Sequence, residues 1–117
     1  MKRTPLRRSW FRRRPRKDPV PSWLRPYIGA RDTQCVLATI DPEHVCRDAF
    51  GSRISPSGEW EMDHIDNGGV GRRVHEKWNA VRLCPFGHRL KTENARKYRP
   101  GLRAYARSVE GYEEAVA

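Results

Sequence analysis

The chain has 117 residues, 37% of them hydrophobic and 32% charged, with a formal net charge of +10. That is room for one compact domain or a small domain with tails. It is too polar for a membrane protein, and no run approaches the ~18 apolar residues of a spanning helix. The basic start MKRTPLRRSW has no apolar segment behind it, so it does not read as a secretory signal.

The charge is unevenly placed. Residues 1–25 hold ten basic groups and one acid, Asp18, so this segment carries +9 and the other 92 residues only +1. A near-neutral domain with a basic arm is expected, and such an arm suits a polyanion, DNA or RNA being the usual one. Residues 1–22, rich in Arg and Pro, are expected to be disordered. Arg7, Arg8, Arg12, Arg13, Arg14, Arg16 and Lys17 are candidate phosphate contacts there.

From Ser22 the pattern changes. Trp23, Tyr27 and Ile28 fall near helical spacing, with Pro26 limiting any helix to short pieces. Residues 35–58 read as a loop ending in the turn signal SPSG. In 59–65, Trp60, Met62 and His64 alternate with Glu59, Glu61 and Asp63, a strand pattern. Residues 66–73 form a glycine-rich loop, and 79–84 a second short strand. Pro85 opens a helix expected to run to Pro100. Beyond Pro100, Leu102, Tyr105, Ala106, Val109, Tyr112, Glu113 and Val116 predict a C-terminal helix packed on the domain. The fold class is therefore α+β, divided as arm 1–22, domain 23–100 and helix 101–117.

Three cysteines, Cys35, Cys46 and Cys84, are an odd number, which argues against a disulfide framework and for a reduced, cytoplasmic chain with a candidate metal site. The loop GGVG at 68–71 lacks the GK[ST] ending of a phosphate loop.

The most informative text is EMDHI at 61–65, DNGG at 66–69 and NAVRLCPFGH at 79–88. Asp63 and His64 close a strand, Asn79 opens the next, and His88 lies in the helix that follows. This order resembles the HNH endonuclease family, whose core is a ββα-metal unit. The likeness covers roughly residues 31–98, with RDTQC at 31–35 similar to the usual lead-in. The start KRTPL and the end RPGLRAYARSVEG are similar to small HNH proteins of tailed phages.

The resemblance implies a metal-dependent DNA endonuclease. Hydrolysis of a phosphodiester needs a deprotonated water, neutralised phosphoryl charge and help for the leaving oxygen. An imidazole, ordinarily titrating near pH ~6.5, is a suitable base, and that role falls on His64. A carboxylate and an imidazole suit one divalent ion, Mg²⁺ or Mn²⁺ first, and those roles fall on Asp63 and His88. Asn79 either ties the loop to the second strand and orients the base, or ligates metal. Arg72, Arg73, Arg89 and Lys91 join the arm as candidate DNA contacts, while His75 and His44 read as solvated or DNA-facing. Asp63 and His64 point to opposite faces of a regular strand, so both reach one site only where the strand ends.

The alternatives are a non-catalytic nucleic-acid-binding module, or an accessory factor that acts with phage terminase subunits in DNA packaging; if phage-encoded, the chain would work in the host cytoplasm.

The cysteines depart from the family pattern. Relatives often hold a zinc ion on two Cys pairs, the second being C-x2-C just before the catalytic His. Gly87 stands at that last position here. A structural zinc on Cys35, Cys46 and Cys84 needs a fourth ligand, with His44 or His75 as candidates; pairing Cys84 with His88 is another option. For want of that ligand, no structural zinc is the favoured expectation, with Cys84 a small buried residue.

Overall fold

The computed structural model describes residues 19–66 and 74–112. The order is helix α1 (Leu24–Arg31), helix α2 (Val36–Ile40), strand β1 (Glu61–His64), a 3₁₀ turn (Lys77–Asn79), strand β2 (Ala80–Leu83), helix α3 (Pro85–Glu93) and helix α4 (Ala95–Val109). Helices beside a two-stranded antiparallel sheet make the class α+β, as expected. Among the described residues no helix is long and apolar enough to cross a membrane.

Pro26 sits at the third position of α1, where a missing N–H costs nothing because the first-turn donors have no helical partner. The helix buries Leu24 and Ile28, four residues apart on one face. Val20, inside the segment read as arm, packs against them and Ala80. The loop expected over 35–58 contains α2, whose five residues are too short to show a helical period.

The register pairs Glu61 with Leu83, Met62 with Arg82, Asp63 with Val81 and His64 with Ala80. All of β2 is buried, and β1 goes from half-buried to buried at Asp63 and His64. The expected alternation along β1 is not seen, because the strand stops at His64. Cys84 then caps α3, its Sγ accepting the Gly87 N–H at 3.2 Å, with Pro85 in the first turn as expected.

The helix expected to run to Pro100 is two helices. Asn94, at φ −144° and ψ 62°, ends α3 and starts α4, its carbonyl accepting the N–H groups of Lys97 and Tyr98. Pro100 lies inside α4 rather than ending a helix. An interior proline costs about 3 kcal/mol. That cost is carried by packing, since Leu102 and Ala106 are fully buried in the main core and Tyr98 and Tyr105 lean on it. The predicted apolar stripe is shorter than expected: Val109 and Tyr112 are exposed, and Glu113 and Val116 lie outside the described residues.

A buried carboxylate with no signature in the sequence joins three elements. Asp32 accepts from Arg31 at 2.8 and 2.9 Å, from the Tyr105 hydroxyl at 2.8 Å and from the Arg82 N–H at 3.3 Å. Burial, with this hydrogen bond, pushes the Tyr105 hydroxyl up to about 12. Arg31 also reaches Glu110 at 3.0 Å, so the end of α4 is tied to α1.

Candidate active cleft and thiol cluster

Strand β1 and the middle and end of α3 border an open cleft of about 360 Å³, lined by Glu61, Met62, Asp63, His64, His88, Lys91 and Thr92. Asp63 and His64 both border it, as do Glu61 and Met62 before them. Beyond His64 the Ile65 N–H still bonds to the Asn79 carbonyl at 2.9 Å, which holds the strand end in place.

His88 Nδ1 lies 2.8 Å from Asp63 Oδ1. The hydrogen bond to Asp63 raises the His88 pKa, against the opposing effect of burial. Glu61 Oε1 stands 3.7 Å from the other ring nitrogen. Among the described residues the second oxygen of Asp63 is buried without a hydrogen bond, with the Lys91 ammonium 3.2 Å away. A carboxylate beside an imidazole is a donor pair that could hold a divalent cation, which would compete with the Asp63–His88 hydrogen bond and the Lys91 ammonium. Mg²⁺ commonly takes one or two protein carboxylates and keeps several waters, so two side chains suffice.

Lys91, read from the sequence as a DNA contact, does something else. It is 6% exposed, and its ammonium donates to the His64 carbonyl at 2.7 Å. It lies three residues after His88, one helical turn further along the same face, which points it inward. Arg89 is exposed. Arg72 and Arg73, and Arg7 to Lys17 of the arm, lie outside the described residues.

Asn79 is fully buried, with both ends of its side-chain amide engaged by backbone. Its Oδ1 accepts the Asp66 N–H at 3.0 Å, and its Nδ2 donates to the carbonyls of Asp66 and Val74 at 2.8 and 2.9 Å. The side chain therefore clamps the two described ends of the glycine-rich loop, which is one of the two roles the sequence left open. Next to Val74, His75 is not simply solvated: its Nδ1 is 3.0 Å from His64 Nε2, with the rings edge to face. No sequence signal links residues eleven apart across a loop. Asp66, also unforeseen, pairs with Arg103 at 3.0 Å and so ties the loop's start to α4.

Cys35, His44, Cys46 and Cys84 form a second constellation. Each offers one ligand atom, and the four atoms lie within 4.8 Å of one another, so the set can hold a metal ion. A tetrahedral zinc with bonds of ~2.0–2.3 Å wants its ligands about 3.3–3.8 Å apart. His44 Nε2 and Cys84 Sγ are 3.4 Å apart. The chemistry of the donors fits as well. The thiol of Cys35 hydrogen-bonds to Cys84 and, with His44, lowers the Cys84 pKa to about 3, against burial. Burial and the neighbouring Cys84 raise Cys46 to about 11. These contacts favour the thiolate of Cys84, and thiolate is the form that binds metal.

The reason for expecting no structural metal, a missing fourth ligand, does not hold. His44 supplies it, stacked on Phe86, and is not the solvated residue the sequence suggested. His75 lies against His64 instead. His88 turns to Asp63, so the Cys84–His88 pairing does not form. The clue available in the sequence was His44 two residues before Cys46, a spacing too common to stand alone.

Scans of the chain against protein-family models, curated proteins and solved structures found no match.

Proposed function

We propose that this chain is a metal-dependent endonuclease of the HNH type that hydrolyses DNA phosphodiester bonds. The observation that supports it best is the convergence of Asp63, His64 and His88 on one cleft, with Asp63 and His88 2.8 Å apart. Asp63 and His88 would hold one divalent ion, Mg²⁺ or Mn²⁺, which when bound supplies charge neutralisation at the phosphate and at the leaving oxygen.

The chain's own groups do the rest. His64 takes the proton from the attacking water. Lys91, through the His64 carbonyl, and Asn79, through the loop ends, keep the strand end in register with α3. The basic arm grips phosphates without reading sequence. The Cys35/His44/Cys46/Cys84 set takes a structural zinc rather than a catalytic one, because four protein donors leave no open position.

The test is plasmid cleavage by purified protein with and without Mg²⁺ or Mn²⁺, beside a His64→Ala control. We expect cleavage only with the added ion, and a drop of ~10²–10⁴-fold in the variant while DNA binding survives. A parent chain that binds DNA and cuts none overturns the nuclease in favour of a binding module.

A further inference from the structure

Between Cys46 and the Ser55 turn the chain makes a tight hairpin. Its ends pair through the Arg47–Arg53 bridge, and the Ile54 N–H bonds to the Cys46 carbonyl at 3.0 Å. At its tip is Phe50, 94% exposed. Single exposed apolar residues are ordinary on protein surfaces. Phe50 differs in degree. The other large apolar residues exposed among those described, Trp23, Ile40, Val109 and Tyr112, keep half or more of their surface covered, at 39–48% exposure. Phe50 touches almost nothing.

The turn that presents it is held firmly. Asp48 Oδ1 accepts the N–H of Phe50 at 2.8 Å and of Ser52 at 2.9 Å. The Asp48 N–H bonds to the Ser52 carbonyl at 2.8 Å, and its carbonyl accepts the Gly51 N–H at 3.1 Å. Arg47 Nη1 donates to the Gly51 carbonyl at 2.9 Å. Gly51 has φ +90°, a conformation that favours glycine. An aromatic ring projected from such a turn is already in position, so little ordering entropy opposes its binding.

The hairpin is also anchored to the catalytic unit. Cys46, at its base, is a member of the thiol cluster. The Arg47 carbonyl accepts the Phe86 N–H at 3.1 Å, in the first turn of the helix that carries His88. The one acid of the tip, Asp48, is engaged by backbone N–H groups, while Arg47 and Arg53, paired across the hairpin, place a cation three residues to either side of Phe50.

We infer that Phe50 is a wedge that enters a base step of duplex DNA, with Arg47 and Arg53 on the adjoining phosphates. This rests on the DNA-cutting reading and adds how the substrate is gripped. Apolar side chains inserted at a base step unstack it and bend the duplex, and guanidiniums at the flanks suit a polyanion. An apolar pocket on a protein would accept the ring as well, but gives no use to two cations beside it.

The experiment uses the full chain carrying His64→Ala, so that DNA binds and is not consumed. Duplexes with 2-aminopurine at pyrimidine–purine steps report unstacking by fluorescence. We expect a severalfold rise with His64→Ala, no rise and about tenfold weaker binding with Phe50→Ala added, and recovery of both with Phe50→Trp. Phe50→Ala should fold normally, since the ring packs on nothing. Equal affinity and fluorescence with and without the ring overturn the wedge, while parental plasmid cleavage leaves the nuclease standing. Loss of a co-purifying protein on Phe50→Ala with DNA affinity unchanged also overturns it. A parent chain that neither binds nor cuts DNA overturns both.

Discussion

The imidazole of His44 stands beside Gly87: a Cβ there would lie 3.5 Å from His44 Nε2 and 3.4 Å from Cys84 Sγ, in van der Waals contact with both. Gly87 is the position at which a C-x2-C pair opening with Cys84 would place its second thiolate. The fourth donor of the candidate set is instead His44, from another segment, with its Nε2 3.4 Å from Cys84 Sγ, and a thiol on Gly87 would share the same surroundings.

This makes a ligand swap testable. Gly87→Cys alone should lower stability, because its Cβ also comes within 3.2 Å of Leu37 Cδ1 and its thiol meets the His44 ring. His44→Ala should release most of the bound metal. The double variant should regain metal, with a stronger thiolate-to-cobalt absorption when Co²⁺ replaces the native ion. A double variant that holds no more metal than His44→Ala sinks the idea.

Chelation gives a second expectation. A structural zinc contributes on the order of 10 kcal/mol to folding in small domains. Protein purified without added zinc should carry close to one equivalent, and strong chelators should remove it together with the fold. Cys84→Ser should then cost far more than the ~1 kcal/mol of a packing change, and lower the melting temperature by more than ~10 °C. Metal analysis and thermal melts decide between them; a zinc-free protein with a mild Cys84→Ser loss would restore the simpler expectation.

The strand–loop–strand–helix order was legible because its markers are local: Asp63 and His64 before a glycine-rich loop, Asn79 ahead of an apolar run, and Pro85 at a helix start. The meeting of Asp63 and His88 follows only from the family resemblance that those markers carry, not from the markers by themselves. What could not be read depends on tertiary packing. Pro100 looks like a stop signal, yet burial of Leu102 and Ala106 carries α4 straight through it. Asn94 looks like an ordinary helical residue and breaks the chain into two helices. Lys91 reads as a surface cation until the helix face it shares with His88 is known, and Asp32 acquires its three partners only through the fold.

Lys91 provides the third expectation. Its ammonium satisfies the His64 carbonyl and faces the buried Asp63 carboxylate. Lys91→Met keeps the stem and leaves both groups without their cation. A hydrogen bond to a charged group is worth about 1.5–3 kcal/mol, and breaking a buried ion pair costs about 3–5 kcal/mol. We expect a loss of roughly 2–4 kcal/mol in denaturant unfolding. Adding Asp63→Asn should cost less in the Lys91→Met background than in the parent, because the charge being removed is already without its counter-ion. Strict additivity of the two changes would show that Lys91 and Asp63 do not act as a pair.

The arm provides the last. Residues 1–18 contain nine basic groups and one acid. Cutting after residue 18 removes this charge and keeps Val20, which packs on Leu24 and Ile28, so the domain should melt close to the parental temperature. DNA affinity should fall, and its dependence on salt should become shallower, because a shortened chain neutralises fewer phosphates and so releases fewer counterions on binding. The slope of log K against log salt is about −0.9 per phosphate neutralised on duplex DNA, so a chain that neutralises even four fewer flattens it by about 3.6 units. Titrations at several salt concentrations measure this directly. An unchanged slope would mean that the arm does not touch the DNA backbone, and that the remaining cations of the domain, Arg47, Arg53 and Arg89 among them, carry the whole electrostatic attraction.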